Sequence, residues 1–408
     1  MAGTEKASIQ SGPLPVELIT EIIALVAGGL YTKFDQLNPY VLKTLAAASL
    51  VSRTWNTICR SHILHTLPVL NFHFNYERLR FLHFDAPHLC TFIRKVLLGR
   101  DDFCTTAGWF PAFAARLTNL RELVLDNPAS PGNGGMVPES LPACLFTAPR
   151  LRKLVFRYWN SAVDGSDVLS VLSATIEELS FENMNGHNLS DLAVQSQSTV
   201  SNPIECPNLQ RFTFWTSSKH PWTLPPWVPT SFSELTLHAR MSRRALPDFG
   251  TAIRPSVVTI HLLGTSDSYF DFFYWIQHCI RSLPSPGSVK TLNIHIINNL
   301  DYDYGLKAMV GLYPDLEDYE MFSRFLHRLW ACEGGSLKAI ALDIRPQTEH
   351  CKDDMQVSKE RRLAELAKLK KGFAPLLEAH VLNVDYIIER PEFDTSIQVM
   401  RCSIHTRV

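Results

Sequence analysis

Thr118-Asn119-Leu120-Arg121-Glu122-Leu123-Val124-Leu125-Asp126 is the stretch on which the fold turns. Its residues Leu120, Leu123 and Leu125 are spaced apolar-x-x-apolar-x-apolar. Residues two apart in an extended strand share a face, so this spacing describes a short strand with one side in a core, preceded by an anchoring apolar residue. The same spacing occurs upstream at Ile93-Val96-Leu98 and downstream at Leu151-Leu154-Phe156, Ile176-Leu179-Phe181, Leu209-Phe212-Phe214 and Phe232-Leu235-Leu237. It continues at Val257-Ile260-Leu262, Val289-Leu292-Ile294, Leu337-Ile340-Leu342 and, more weakly, Ala379-Leu382-Val384. Several copies share a lead-in: Thr118-Asn119 before Leu120, Ala148-Pro149-Arg150 before Leu151, and Cys206-Pro207-Asn208 before Leu209.

A leader followed by such a strand is the pattern of leucine-rich repeats. One unit is too small to bury its own apolar face, and stacked neighbours share a continuous core. The steps are uneven, from 23 residues between Phe214 and Leu237 to 48 between Ile294 and Leu342. The long steps must therefore hold helices or loops. Residues Asp271–Arg281 place Phe272, Trp275, Ile276 and Cys279 on one helical face, and Tyr319–Cys332 do the same with Phe322, Phe325, Leu326 and Leu329. Pro128–Pro142, Gln195–Pro203 and Ser217–Thr230 read as loops, the last carrying Trp222 and Trp227. Residues 346–372 hold a charged stretch, then an amphipathic helix with Leu363, Leu366, Leu369 and Phe373. The expectation for residues 67–408 is an irregular leucine-rich-repeat-like solenoid with a curved, mainly parallel sheet, an α/β architecture.

The first 66 residues have a different texture. Residues 1–12 read as a disordered tail and 13–66 as three helices. Pro15 suits a first helical turn, where its missing N–H costs nothing. Leu18, Ile22, Leu25 and Val26 fall on one face, and Gly28-Gly29 ends the helix. A connection containing Asn38-Pro39 leads to a second helix over Val41–Ser52 and a third over Arg53–His65.

This front segment resembles the F-box. The family opens with Leu-Pro-x-Glu-Leu, matched by Leu14-Pro15-Val16-Glu17-Leu18, and closes with a block matched by Leu45-Ala46-Ala47-Ala48-Ser49-Leu50-Val51-Ser52-Arg53-Thr54-Trp55. The rest is similar to the degenerate leucine-rich-repeat tails of fungal F-box proteins. The resemblance implies a substrate receptor of a Skp–cullin–F-box ubiquitin ligase. Such a receptor binds a Skp-type adaptor, and through it a cullin, by contacts carried over to Leu14, Pro15, Leu18, Ile22, Leu50, Val51 and Trp55. The repeat domain would hold a protein substrate that the sequence does not name. The connection Ala27–Leu42 is longer than the family's, which implies either an extra loop at the adaptor contact or a weakening of that contact. The alternative is a repeat scaffold that binds protein without a ligase role.

Composition narrows the field further. The chain has 408 residues, 46% hydrophobic and 19% charged, with a formal net charge of −1. That is a folded composition with no global basic field, so neither nucleic acid nor a membrane is an expected partner. Nine cysteines without CxxC spacing read as reduced, mostly buried thiols. No signal-peptide pattern or long apolar run occurs, so the expected location is cytoplasmic or nuclear. No GxGxxG, P-loop, GxSxG or HExxH motif is present, and no enzyme or cofactor is expected. His83, His88 and Cys90 lack a fourth metal ligand at usual spacing, and the Lys/Arg residues of Lys352–Lys371 are interleaved with acids as on a solvated helix. If the pattern residues face the core, the residue after each faces out. Asp126, Arg157, Glu182, Trp215, Leu263, His295, Asp343 and Asp385, with His238 beside Leu237, would then form a candidate partner row anchored by Trp215.

Overall fold

The structure is a computed structural model. It describes residues 14–30, 38–69, 77–98, 108–126, 145, 148–157, 171–172, 174–184, 205–216, 222–223, 229–240, 247–248, 253–264, 269–283, 286–298, 316–331, 339–345, 367–368, 370–378, 382–388 and 398–405. The expected tail 1–12, the loops Pro128–Pro142 and Gln195–Pro203, Leu337, Ala379, and most of the expected helix before Phe373 lie outside these residues. The chain is α/β and divides into two compact units, Met1–Val124 with Pro142–Leu151 and Leu125–Leu141 with Arg152–Val408. Among the described residues, no helix is long and apolar enough to cross a membrane.

The first unit opens with α1 (Val16–Ala27), α2 (Pro39–Ala48) and α3 (Arg53–Ile63). Pro15 sits at the N-cap of α1, one residue before the helix proper. The Asn38 side chain accepts the N–H of Tyr40, and Pro39 takes the first turn, so α2 starts two residues earlier than the apolar pattern suggested. Ser52 accepts the N–H of Trp55 and fixes the start of α3. Ser52 therefore caps the third helix and does not end the second. The bundle has its own core: Ile19, Ile23, Leu30, Leu45 and Cys59 are buried, with Val26, Val41, Leu42, Trp55 and Ile58 packed around them.

Only Leu64 and His65 separate α3 from strand β1 (Thr66–Val69), which pairs in parallel with β2 (Lys95–Leu98). β3 (Glu122–Asp126) follows β2 in the sheet order. A π-helical turn at Phe81–Asp85 lies between β1 and β2, and the short helix α4 (Phe110–Ala114) between β2 and β3. His83, weighed as a metal ligand, instead stacks on Trp109 and takes hydrogen bonds from Arg116, while the Cys90 thiol donates to the Leu82 carbonyl.

The second unit carries β4 (Lys153–Arg157), β5 (Glu178–Met184), β6 (Arg211–Thr216), β7 (Trp222–Thr223), β8 (Glu234–Arg240), β9 (Pro247–Asp248), β10 (Val257–Gly264), β11 (Thr291–Asn298) and β12 (Ala339–Arg345). β4, β5, β6, β8, β10, β11 and β12 pair successively in parallel, while β7 and β9 form a separate two-stranded pair. The series ends in two antiparallel strands, with β14 (Gln398–His405) between β12 and β13 (Leu382–Ile388). Helices α5 (Tyr269–Ser282) and α6 (Leu316–Ala331) occupy two of the long steps and pack through Phe273 and Phe322, stacked 4.4 Å apart. The short helix α7 (Ala374–Glu378) follows Phe373, whose ring lies 5.8 Å from Tyr319.

The pattern residues fill the core. Leu154, Phe156, Leu179, Phe181, Phe212, Phe214, Leu235, Leu237, Ile260, Leu262, Leu292 and Ile294 are all buried. Phe156, Phe181, Phe212 and Phe232 form a run of rings at 5.1, 5.8 and 5.1 Å. One copy needs correction. Val258 and Ile260 pair with Leu292 and Ile294, so the unit at β10 reads Pro255-Val258-Ile260 and not Val257-Ile260-Leu262. A shift of two residues keeps every side chain on the same face of a strand, so the apolar pattern alone fits both registers.

Successive units are joined by one recurring main-chain contact. A single carbonyl at the lead-in accepts two consecutive N–H groups of the next unit. In the first unit, His65 serves Arg94 and Lys95, and Arg94 serves Arg121 and Glu122. In the second unit, Arg152, Glu177, Gln210, Ser233 and Ser256 do the same for the pairs beginning at Glu177, Gln210, Ser233, Ser256 and Lys290. Side chains of the lead-in add a further bond backwards: Asn119 to Thr91, Asn208 to Ala174, Ser233 to Gln210 and Ser256 to Ser233. This gives the Asn of the repeated lead-in a physical role, because an amide is long enough to reach the carbonyl of the preceding unit.

Candidate functional site

Two surfaces stand out. The first is on the helical bundle. Among the described residues the exposed large apolar side chains are concentrated there: Leu14, Val16, Leu18, Ile22, Leu25, Tyr40, Leu50 and Val51, against Phe81, Phe84, Val171 and Tyr274 elsewhere. Leu50 is 84% exposed, Val51 65%, Leu14 52%, Leu18 46% and Ile22 40%. Pro15 is exposed as well. These are six of the seven positions that the sequence resemblance assigned to an adaptor.

α1 has two apolar faces. Ile19 and Ile23 turn into the bundle with Val26, while Leu18, Ile22 and Leu25 turn out. The expected single face Leu18, Ile22, Leu25 and Val26 is thus split, with only Val26 inside. Leu50 and Val51 lie in the turn between α2 and α3, where no helix packing covers them. Trp55, the seventh position, is half-buried against the bundle core, so part of its ring serves that core. Exposed apolar residues gathered on a small domain mark an interaction site more often than scattered ones do.

The second surface is the sheet face opposite the apolar core of the second unit. It is built of rows that cross the strands. The row nearest the strand starts alternates in charge: Lys153 and Arg211 flank Glu178 at 3.9 and 2.7 Å, and Glu234 lies 3.8 Å beyond Arg211. The middle row is Ser180, Thr213, Thr236, Thr259 and Asn293 in register, with the Asn293 amide donating to the Thr259 hydroxyl. The last row holds the residues expected to contact a partner. Trp215 is in register with His238, His238 with His261, His261 with His295, and His295 with Asp343. Asp343 and Asp385 each lie in register with Arg401 of β14. A register shift after Phe181 separates Trp215 from Glu182.

The row differs from expectation in two places. His261, not Leu263, occupies it on β10, for the register reason given above. The triplets Thr236-Leu237-His238, Thr259-Ile260-His261 and Asn293-Ile294-His295 were the signal that could have found it. Arg157, expected on the open face, is 9% exposed. Its Nε and Nη2 donate to one oxygen of Glu182 at 3.0 and 2.9 Å, which commits these two residues to each other. Asp126 is half-buried at the end of β3. Arg157→Leu is expected to destabilise the chain by roughly 3 kcal/mol, because it leaves a mostly buried carboxylate unpaired, and Arg157→Leu with Glu182→Leu is expected to recover most of that loss. A urea midpoint that falls further in the double variant than in the single one would contradict the pairing.

The imidazoles of His238, His261 and His295 stack face to face, with centroids 4.3 and 4.5 Å apart and planes within 5° and 9°. Trp215 lies 5.6 Å beyond His238. Burial, and then the charge of His295, lowers His238 to about 4, so its ring is neutral at pH 7. Among the described residues no group of three His, Cys, Asp or Glu is arranged to hold a metal ion. The described cysteines Cys59, Cys90, Cys206 and Cys279 are buried thiols, and burial pushes Cys206 up to about 11, far from a reactive thiolate.

No family model matches the chain, and no curated protein or solved structure matches it.

Proposed function

We propose that this chain is the substrate-recognition subunit of a Skp–cullin–F-box ubiquitin ligase, with α1–α3 as an F-box and the parallel strands as a leucine-rich-repeat-like solenoid that receives a protein substrate. The chemistry belongs to other subunits, and this chain brings two proteins together. One observation carries the reading. The positions matched to the family's adaptor contacts, Leu14, Pro15, Leu18, Ile22, Leu50 and Val51, are exposed, although a bundle of this size has little apolar surface to spare. Its core is made by other residues, Ile19, Ile23, Leu30, Leu45 and Cys59. A bundle that needed those six side chains only for its own stability would have buried them.

An adaptor covering that face would remove apolar area from water at about 25 cal/mol per Å², with the largest gains from the most exposed side chains, Leu50 and Val51. The sheet face, with its compensated charges and the Trp215–His row, is the natural position for the substrate. The test is capture of a purified Skp-type adaptor by the full chain. Leu18→Asp with Leu50→Asp is expected to weaken capture by about 100-fold, since two truncated or charged hot spots at a desolvated contact are worth about 3 kcal/mol together. Helix content should not change, because both residues are exposed. Equal capture by the variant and the parent would rule out this face as the adaptor site, and the repeat-scaffold reading without a ligase would replace it.

A further inference from the structure

We propose that the stacked rings of His238, His261 and His295 form a proton-responsive clasp across β8, β10 and β11, closed while the rings are neutral and opened when acid places charge on more than one of them. The geometry supplies the mechanism. Neutral imidazoles stack at 4.3 and 4.5 Å as ordinary aromatic partners. Two imidazolium rings at that separation repel, and the partly buried site screens the repulsion poorly. A stack of three on consecutive strands therefore cannot carry three protons in the closed arrangement. Protonation of the first ring also makes protonation of its neighbours harder, so the titrations are coupled.

The strand register sets the following charged positions on the face of the stack, with Arg240 two residues beyond His238 on β8. On the β6 side the row continues with Trp215, and Arg211 lies four residues away. On β8 the same face carries Glu234, which pairs with Arg211. On β10 and β11 the same face carries Thr259 and Asn293. Asp343 of β12 is in register with His295 but also with Arg401 of β14. Glu182 of β5, beyond the register shift, is held by Arg157. Asp343 is thus at one end of the row, three strands from His238 in the sheet order.

The sign follows from His238. Its folded-state value, about 4, lies below the ordinary histidine value of 6.5, so the open or unfolded chain binds more protons between those two pH values. The closed stack is therefore fully favoured above about pH 6.5 and loses its advantage as pH falls toward 4. Over the same interval the neutral His238 ring beside Trp215 becomes cationic, which changes what the sheet face can hold. The inference stands whether or not α1–α3 bind an adaptor.

The experiment follows the ring Hε1 signals of the full chain by NMR from pH 8 to 4, together with amide exchange in β8, β10 and β11, corrected for the intrinsic pH dependence. The expected result is a His238 midpoint below the ordinary histidine value, with protection of the three strands lost over the same interval. His261→Phe keeps a stacked ring without a titrating nitrogen, so its strands are expected to need about 10-fold more protons before protection is lost. A His238 midpoint near the ordinary value with unchanged protection would overturn the proposal. So would an identical exchange profile in His261→Phe, because the carboxylates of Glu182, Glu234 and Asp343 remain in that variant. If His261→Phe does not fold, the His238 midpoint and strand protection of the parent chain decide by themselves.

Discussion

Leu45→Ala is expected to cost the helical bundle about 2–5 kcal/mol, as large-to-small changes at fully buried leucines do. Few residues share the load there. Ile19, Ile23, Leu30 and Cys59 are the other buried members of that core, and a domain of this size has little margin. The loss should appear as collapse of amide protection in α1, α2 and α3, with adaptor capture lost at the same time. The contrast with Leu50, five residues further on and 84% exposed, makes the result informative. Leu50→Asp should weaken capture with protection intact, whereas Leu45→Ala should remove both. If Leu45→Ala leaves protection in the three helices unchanged, the bundle does not depend on its own core and must be held from elsewhere.

Phe212→Ala is expected to be the most damaging single change in the second unit, at about 3–5 kcal/mol. Phe212 is fully buried and touches rings on both sides, Phe181 at 5.8 Å and Phe232 at 5.1 Å. Removing it interrupts an aromatic run that begins at Phe156, and the vacated volume cannot be filled without moving the flanking strands. Stability in stacked units is a sum over nearest neighbours, so the protection lost should be greatest in β5, β6 and β8 and smaller in β11 and β12. Uniform loss across the unit, or an unchanged urea midpoint, would contradict a neighbour-by-neighbour core.

How much of this was legible in the sequence depended on whether one periodicity had one solution. At Leu123, Leu154 or Phe212 the apolar spacing and the lead-in agree, and each strand lies where the spacing put it. At β10 the inward phase Val258-Ile260-Leu262 offers three apolar residues in succession, so the register could slip by two, and with it the identity of the outward residue. The face of α1 failed for the same reason. Val16-Glu17-Leu18-Ile19-Thr20-Glu21-Ile22-Ile23 offers two apolar stripes, and only packing decides which one is inside.

β1 was missed because Pro68 argues against an interior strand. It is the first strand of the sheet order, with β2 as its only strand neighbour, where a missing donor is tolerated. β14 was missed because it runs antiparallel and has no lead-in. Alternation puts Arg157 and Glu182 on one face of neighbouring strands, in register with each other. That they bond to each other across the β4–β5 pairing is a fact of tertiary geometry that no one-dimensional pattern carries.

The contact that joins one unit to the next uses only main-chain atoms. The accepting residues His65, Arg94, Arg152, Glu177, Gln210, Ser233 and Ser256 have no side-chain chemistry in common, and almost any amino acid would serve in their place. The one exclusion falls on the donors, where proline would remove an N–H. Pro149, Pro207 and Pro255 all come earlier in the lead-in. A seam with so few requirements lets the chain lengthen or shorten by whole modules over evolutionary time. A duplicated segment finds the same socket at either end, and the number of modules can drift while each junction stays the same.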